Sequence, residues 1–395
     1  MRVVSFTAAA LAIAIAIAAA VAPVAAPAAE DDAAAQARAG LARIQALRIE
    51  RPRDGALAYY EALLHAQLGE RDAALAVLRM LSGRHLGIVP VESIGFGALW
   101  ADADFQKLRR QLEAEEPKTP TAPVRWRLHD PKLIPEGIAH DAAGKRFFIG
   151  SIAQHKIVAL DAAGRERPFS KPDDKLDSVL GLAVDARRRQ LLAVSTNGLD
   201  DSAKAERRNA VMRYDLARGT LVARHAAPDA SQLNDVAVAP DGTVYATDSD
   251  TGTLFRLKPG QTALVPFGDA GALRGANGVA VAPDGTVYVT LSTGIARVDP
   301  ATGKGTRLPQ PDDVVTGGID GLYWHEGDLV GVQNSTNPGR VIRIALADRG
   351  TRIAGGALHV IANSQVGRYQ PDGSLKDPAS LKPTAIVAVP LAKRL

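Results

Sequence analysis

Residues 236–245 read VAVAPDGTVY, and residues 279–288 read VAVAPDGTVY again, 43 positions on. A weaker copy, GLYWHEGDLV, fills residues 321–330. In each copy apolar and small residues alternate, a Gly-containing turn reverses the chain, and alternation resumes, which is hairpin grammar. Hairpins recurring at about 40–45 residues predict a β-propeller, where each repeat is one four-stranded blade. The same grammar opens at Glu136 (EGIAHDAAGKRFFIGSIAQHKIVALDAAG) and at Leu180 (LGLAVDARRRQLLAVSTNG). Units therefore start at Glu136, Leu180, Asn234, Asn277 and Asp320.

A sixth unit is expected from the C-terminal region, with ALHVIANS (357–364) and TAIVAVPL (384–391) as strands. The expected class is mainly β, a six-bladed propeller. Its last blade is short: the period lands on Asn363, which ends a strand instead of opening one. Either an inner strand is lost, or TRIA (351–354) is recruited to serve as it. The stretch VRWRL (124–128) is expected to close the ring by pairing with the last unit, which leaves no long unpaired edge.

Upstream the pattern is different. Arg2, an apolar run over residues 8–21 and Ala26-Pro27-Ala28 predict a cleaved secretory signal over residues 1–29, and hence a periplasmic or secreted protein. The run is short for a membrane span and an acidic flank follows it, so no span is expected after cleavage. Residues 30–114 carry helical spacing. Leu41, Ile44 and Leu47 form one stripe; Ala58, Leu63, Leu64 and Leu68 another, closed by Gly69; Ala73, Val77, Leu78 and Leu81 a third, closed by Gly83; and Phe105, Leu108 and Leu112 a fourth. AYYEALLHAQLGERDAALAVLRML resembles one tetratricopeptide unit, whereas an array needs at least three. This helical TPR-like domain is read either as a surface for a protein partner or as a small cap packed on the main domain. Residues 115–124, rich in Pro and Thr, read as a linker, and residues 125–395 as the propeller.

In a propeller the residue opening each inner strand looks into one end of the central channel. Here those positions hold Glu136, Leu180, Asn234, Asn277 and Asp320. Four of them bear oxygen, two as carboxylates and two as amides, and hard oxygen ligands suit Ca2+ or another oxygen-preferring dication. The bland alternative is turn chemistry, because Asn and Asp before Gly bond local backbone. Recurrence in phase favours the metal.

These motifs, Pro135-Glu136-Gly137, Leu233-Asn234-Asp235, Ala276-Asn277-Gly278 and Ile319-Asp320-Gly321, resemble in their order those of the gluconolactonase family, which includes senescence marker protein and luciferin-regenerating enzyme. The resemblance covers about residues 133–346. It implies Glu136, Asn277 and Asp320 as metal ligands and Asn234 as a substrate contact. It implies a metal-dependent hydrolase of lactones or related esters, with Asp320 as the expected general base and Asp235 as a residue that orients Asn234. Ca2+ is the expected ion, with Zn2+ and Mn2+ as alternatives. The rival from another class is a non-catalytic propeller holding a structural ion and binding a protein or sugar.

Other chemistry finds little support. The net charge of +4 and the absence of basic runs interleaved with aromatics give no case for nucleic acid. The absence of cysteine removes disulfides, thiolate ligands and a thiol nucleophile. His140, His155 and His325 fall outside the slots. Trp324 reads as core, and Gln333-Asn334 and residues 363–365 read as turns.

Overall fold

The structure is a computed structural model; it describes residues 27–116, 123–200, 206–334, 339–362, 375, 378–382 and 384–387. Residues 1–26, which hold most of the expected signal, and 117–122 of the expected linker lie outside it.

The two identical decapeptides fold identically. In both, the Asp of Pro-Asp-Gly accepts from the backbone N–H of the following Thr, Asp241 from Thr243 at 2.8 Å and Asp284 from Thr286 at 2.9 Å. Gly242 and Gly285 take φ of 97° and 88°, the left-handed region that a side chain would oppose. The flanking registers match as well, Ala237 opposite Tyr245 and Ala280 opposite Tyr288.

Each such hairpin is the inner half of a four-stranded antiparallel sheet. Blade one comprises β2 (Pro135–Asp141), β3 (Arg146–Ser151), β4 (Lys156–Asp161) and β5 (Glu166–Pro168). Blade two is β6 (Ser178–Asp185), β7 (Gln190–Thr196), β8 (Asn209–Asp215) and β9 (Thr220–Ala226). Blade three is β10 (Leu233–Val238), β11 (Val244–Asp248), β12 (Thr253–Leu257) and β13 (Val265–Phe267). Blade four is β14 (Val279–Val281), β15 (Val287–Leu291), β16 (Gly294–Val298) and β17 (Gly305–Arg307). Blade five is β18 (Ile319–His325), β19 (Asp328–Gln333), β20 (Gly339–Ala347) and β21 (Arg352–Ala362). Separate apolar clusters fill the spaces between neighbouring blades, as with Phe148, Leu182, Leu191 and Met212 between blades one and two. Polar pins join blades too: Arg189 of blade two makes a two-pronged ion pair with buried Asp141 of blade one, at 2.6 and 2.9 Å.

The expected assignment of the C-terminal strands needs correction. TRIA and ALHV are not two strands of different blades. They form one strand, β21, running the length of β20 as the outer strand of blade five. Gly355 and Gly356 lie inside this strand, and two register shifts flank them. Among the described residues there are five four-stranded sheets and one two-stranded sheet, β1 (Val124–Arg127) with β22 (Ala385–Val387). VRWRL thus pairs with part of the expected strand TAIVAVPL. The pairing packs Trp126, Leu128 and Ile386 against Phe147, Ile149 and Leu160 of blade one. Asn363, Ser364 and Gln365 lie outside the described residues.

The helical region has α1 (Pro27–Glu50), α2 (Gly55–Gln67), α3 (Arg71–Arg79) and α4 (Ala103–Ala114). Asp54 and Asp102 cap α2 and α4 with their carboxylates. Phe105, Leu108 and Leu112 are buried, as their spacing predicts. The region docks on the propeller. Val315, from the loop between blades four and five, belongs to the helical core. Buried Arg340 of β20 donates to Leu86 O and Gly87 O at 2.8 Å and to Gln333 Oε1 at 2.6 Å. Burial pushes its guanidinium down to about 10, so it stays charged at neutral pH.

Candidate metal and active site in the propeller channel

The strand openings share a local distortion. In four inner strands two residues oppose one on the neighbouring strand, a β-bulge: Glu136-Gly137, Leu180-Gly181, Asn234-Asp235 and Asp320-Gly321. In blade four Asn277-Gly278 stand just before β14, with Asn277 N donating to Thr290 O at 3.2 Å. A bulge re-aims one side chain out of the alternation, and here it re-aims the same one around the axis. The glycine after three of the slot residues, Gly137, Gly181 and Gly278, has a steric cause. A Cβ on Gly137 would lie 2.3 Å from Leu180 O, and one on Gly278 would lie 2.3 Å from Asp320 O. Neighbouring inner strands thus touch backbone to backbone, which brings successive slot residues together.

Glu136 is delivered by a strained entry. Ile134, two residues before it, takes φ 40°. For a β-branched residue before proline this is an outlier, worth about 1–3 kcal/mol of strain. Burial of its side chain with Leu180 and Leu233 holds it there.

Glu136, Asn234, Asn277 and Asp320 line one channel cavity of about 20 Å³, with Asp235 and Tyr323. The four oxygen-bearing residues named from the sequence are therefore brought together. Leu180, the apolar slot, is buried in the core between blades. Asn234, Asn277 and Asp320 are at most 4% exposed. Burial, then the charges of Asp320 and Asp235, hold the Glu136 carboxyl well above the usual carboxylate range. Burial lifts Asp320 to about 8 against the pull of a hydrogen bond from Asn334. Asp235 rises to about 7, again by burial. The Asn277 amide also draws Asp320 down, yet no hydrogen bond of ordinary geometry joins them: Asn277 Nδ2 and Asp320 Oδ1 are both buried without a partner.

These features fit an oxygen-bound dication. An orphaned carboxylate oxygen, two carboxyls that cannot both ionise unaided, and room for one ion-sized body all meet at one point. Among the described residues no three His, Asp or Glu side chains sit close enough to hold a metal together. An ion here would depend on the Asn277 amide as well as the two carboxylates.

Three residues of the site escaped the sequence reading. Asn334, read as a turn residue, donates from Nδ2 to Asp320 Oδ2 at 2.8 Å. Ser249 accepts from Asn234 Nδ2 at 2.9 Å and donates to Ala276 O at 2.6 Å, so Ser249, not Asp235, orients Asn234. Asp235 instead accepts from Val236 N and, across the blade boundary, from Val279 N. Tyr323 lies over Gly321; burial and the three carboxyls keep its hydroxyl protonated. The remaining expectations are bland. His140 stacks on Phe147 at 4.3 Å, Trp324 stacks on Tyr288 at 6.0 Å, and Gln333 holds the backbone of Val315 and Gly317. His155 is a turn residue with φ 51°, not a strand residue.

Solved structures resemble the fold at low identity. A gluconolactonase from Xanthomonas campestris is 21% identical over 62% of this chain and 87% of its own, with a TM-score of 0.43. A streptogramin B lyase is 17% identical over 60% of this chain and 72% of its own, with a TM-score of 0.44. The PQQ-bound aldose sugar dehydrogenase of Streptomyces coelicolor is 16% identical over 62% and 86%, with a TM-score of 0.41. No curated protein matches the chain. The stretch holding Glu136, Asn234 and Asn277, residues 134–293, matches the family model described as SMP-30/Gluconolactonase/LRE-like region.

Proposed function

We propose that the protein is an exported hydrolase of lactones or related esters that uses an oxygen-preferring divalent cation, Ca2+ before Zn2+ or Mn2+. The observation that carries this is the convergence of Glu136, Asn277 and Asp320 on one ion-sized cavity, with Asp320 Oδ1 buried and unpartnered in it. Glu136, Asn277 and Asp320 would hold the cation, which when bound supplies Lewis acidity toward a carbonyl oxygen and offsets the two carboxylates. Asp320 has its other oxygen fixed by Asn334, so it is set to take a proton from an attacking water. Asn234, turned by Ser249, offers its remaining amide valences to the substrate. The Tyr323 hydroxyl is a standing donor beside them. The cavity holds one ion or one water, so the body of the substrate lies at the channel mouth.

Arg2, the apolar run and Ala26-Pro27-Ala28 support export, and no helix among the described residues is long and apolar enough to cross a membrane. N-terminal sequencing of the protein from the periplasm or medium tests that. We also read β1·β22 as the described part of a sixth blade.

The small cavity and the helical block on the same face favour a second reading, a binding propeller with a structural ion. Hydrolysis of a lactone and ester panel with Ca2+, Mn2+ or Zn2+ decides between them. The hydrolase gives metal-dependent turnover that falls about 10²-fold or more in Asp320→Asn. A melting temperature raised by Ca2+ with no turnover establishes the binder.

A further inference from the structure

A second cavity, about 280 Å³, lies between the helical region and the propeller, near the lower end of the range for small-molecule sites. One wall is helical and apolar: Ala37, Ile44 and Leu47 of α1 with Leu64 of α2. The other is made of propeller turns at the slot end of blades three and four, residues 249–252, 274–275 and 292–293. Two cations line it, Arg43 of α1 and Arg274 just before the Asn277 slot. Neither makes a side-chain hydrogen bond or ion pair among the described residues. The one acidic lining residue, Asp250, accepts a hydrogen bond from Ser231 Oγ. Behind Thr293 lie two further cations, of which Arg51 is paired with buried Asp54 at 2.7 Å. Arg51 donates to Thr293 O at 3.3 Å, Arg307 donates to the same oxygen, and Arg51 Nη2 is buried without a partner.

We propose that this cavity is a binding site for a small amphiphilic anion, its aliphatic arm against Ala37, Ile44, Leu47 and Leu64 and its carboxylate between Arg43 and Arg274. The apolar wall contributes by the area it removes from water. Two unpaired guanidiniums give a planar carboxylate charge-assisted, two-pronged partners. Ser249 belongs to the wall of this cavity and also orients Asn234. Occupancy is thereby one side-chain layer from the channel, and an occupant is placed as the arm of a channel substrate or as an effector beside it.

The test is calorimetric titration of the full chain with octanoate, with octanol lacking the charge and acetate lacking the arm. Octanoate is expected to bind saturably, and octanol and acetate about tenfold or more weaker. Arg274→Ala removes one cation. Gly40→Leu fills the cavity, since a Cβ on Gly40 meets only Leu64 Cδ atoms at 3.4 and 3.5 Å and leaves the channel untouched. Each is expected to weaken octanoate about tenfold or more without lowering the melting temperature. Absence of octanoate binding at millimolar concentration, octanol binding as tightly as octanoate, or Gly40→Leu binding like the wild type overturns the proposal. Titration reads binding without turnover, so this result is separable from the hydrolase reading.

Discussion

Gly278→Ala isolates the close approach of blades four and five. The added Cβ would stand 2.3 Å from Asp320 O, 2.6 Å from Leu322 N and 2.9 Å from Gly321 C, all backbone atoms of the next inner strand. Side-chain ends can swing aside; backbone inside a ladder cannot. To reach even a 3.0 Å contact the strands must part by about 0.7 Å, with a cost of about 1–3 kcal/mol for overpacking. The parting separates Asn277 from Asp320, and metal sites tolerate about 0.2 Å. The variant is expected to lose about 1–3 kcal/mol by urea unfolding in EDTA, and more in Ca2+, because the ion no longer adds its share. Gly355→Ala is the control: nothing lies within 4 Å of its Cβ and its φ is not positive. Unfolding curves for Gly278→Ala that overlay the wild type, with the same shift on adding Ca2+, would refute the strand-contact argument.

Two further outcomes follow from hydrogen bonds. Replacing Asn334 by Leu removes the side-chain hydrogen bond that Asp320 Oδ2 accepts at 2.8 Å, and the loss of such a support is expected to weaken Ca2+ binding about 10–100-fold; calorimetric titration giving an unchanged affinity would count against Asp320 as a ligand. Arg189 holds Asp141 down to about 2 from an ordinary 3.8. A depressed native value stabilises above the unfolded one, so at most about 2.5 kcal/mol is present above pH 4 and drains away toward pH 2. Asp141→Asn should lack that component, so wild-type and variant stabilities measured from pH 6 to 2 should converge on acidification.

The propeller was legible because its repeat is literal: the same ten residues build the same hairpin in blades three and four. The slot residues were legible for the same reason, since one phase of the repeat points to the axis. Ser249, Tyr323 and Asn334 were not. Ser249 and Asn334 support lining residues from a turn after β11 and from the end of β19, and Tyr323 lines the cavity from three residues beyond a slot, positions that the assembled ring brings round. Two of the four bulges, Glu136-Gly137 and Asp320-Gly321, left a trace, a polar-Gly pair out of step with the alternation, but local pattern does not say that the extra residue faces an ion. The period separated TRIA from ALHVIANS, but the long partner strand β20 supplies enough pairing to join them through Gly355-Gly356. Docking of the helical region as a cap was one of the two readings its single helical unit allowed; the contact that makes it was not legible, since Val315 enters the helical core from a loop with no helical spacing around it.

The β1·β22 pairing has a bearing on how the ring is made. Val124 opposes Val387, so β1 waits, while five blades are made, for a partner that comes long after it. Until then blade one has a bare flank where Trp126 and Ile386 would sit. Synthesis therefore leaves that flank uncovered until residues 385–387 emerge, and the speed of this long-range pairing, as much as final stability, bears on how much chain escapes aggregation.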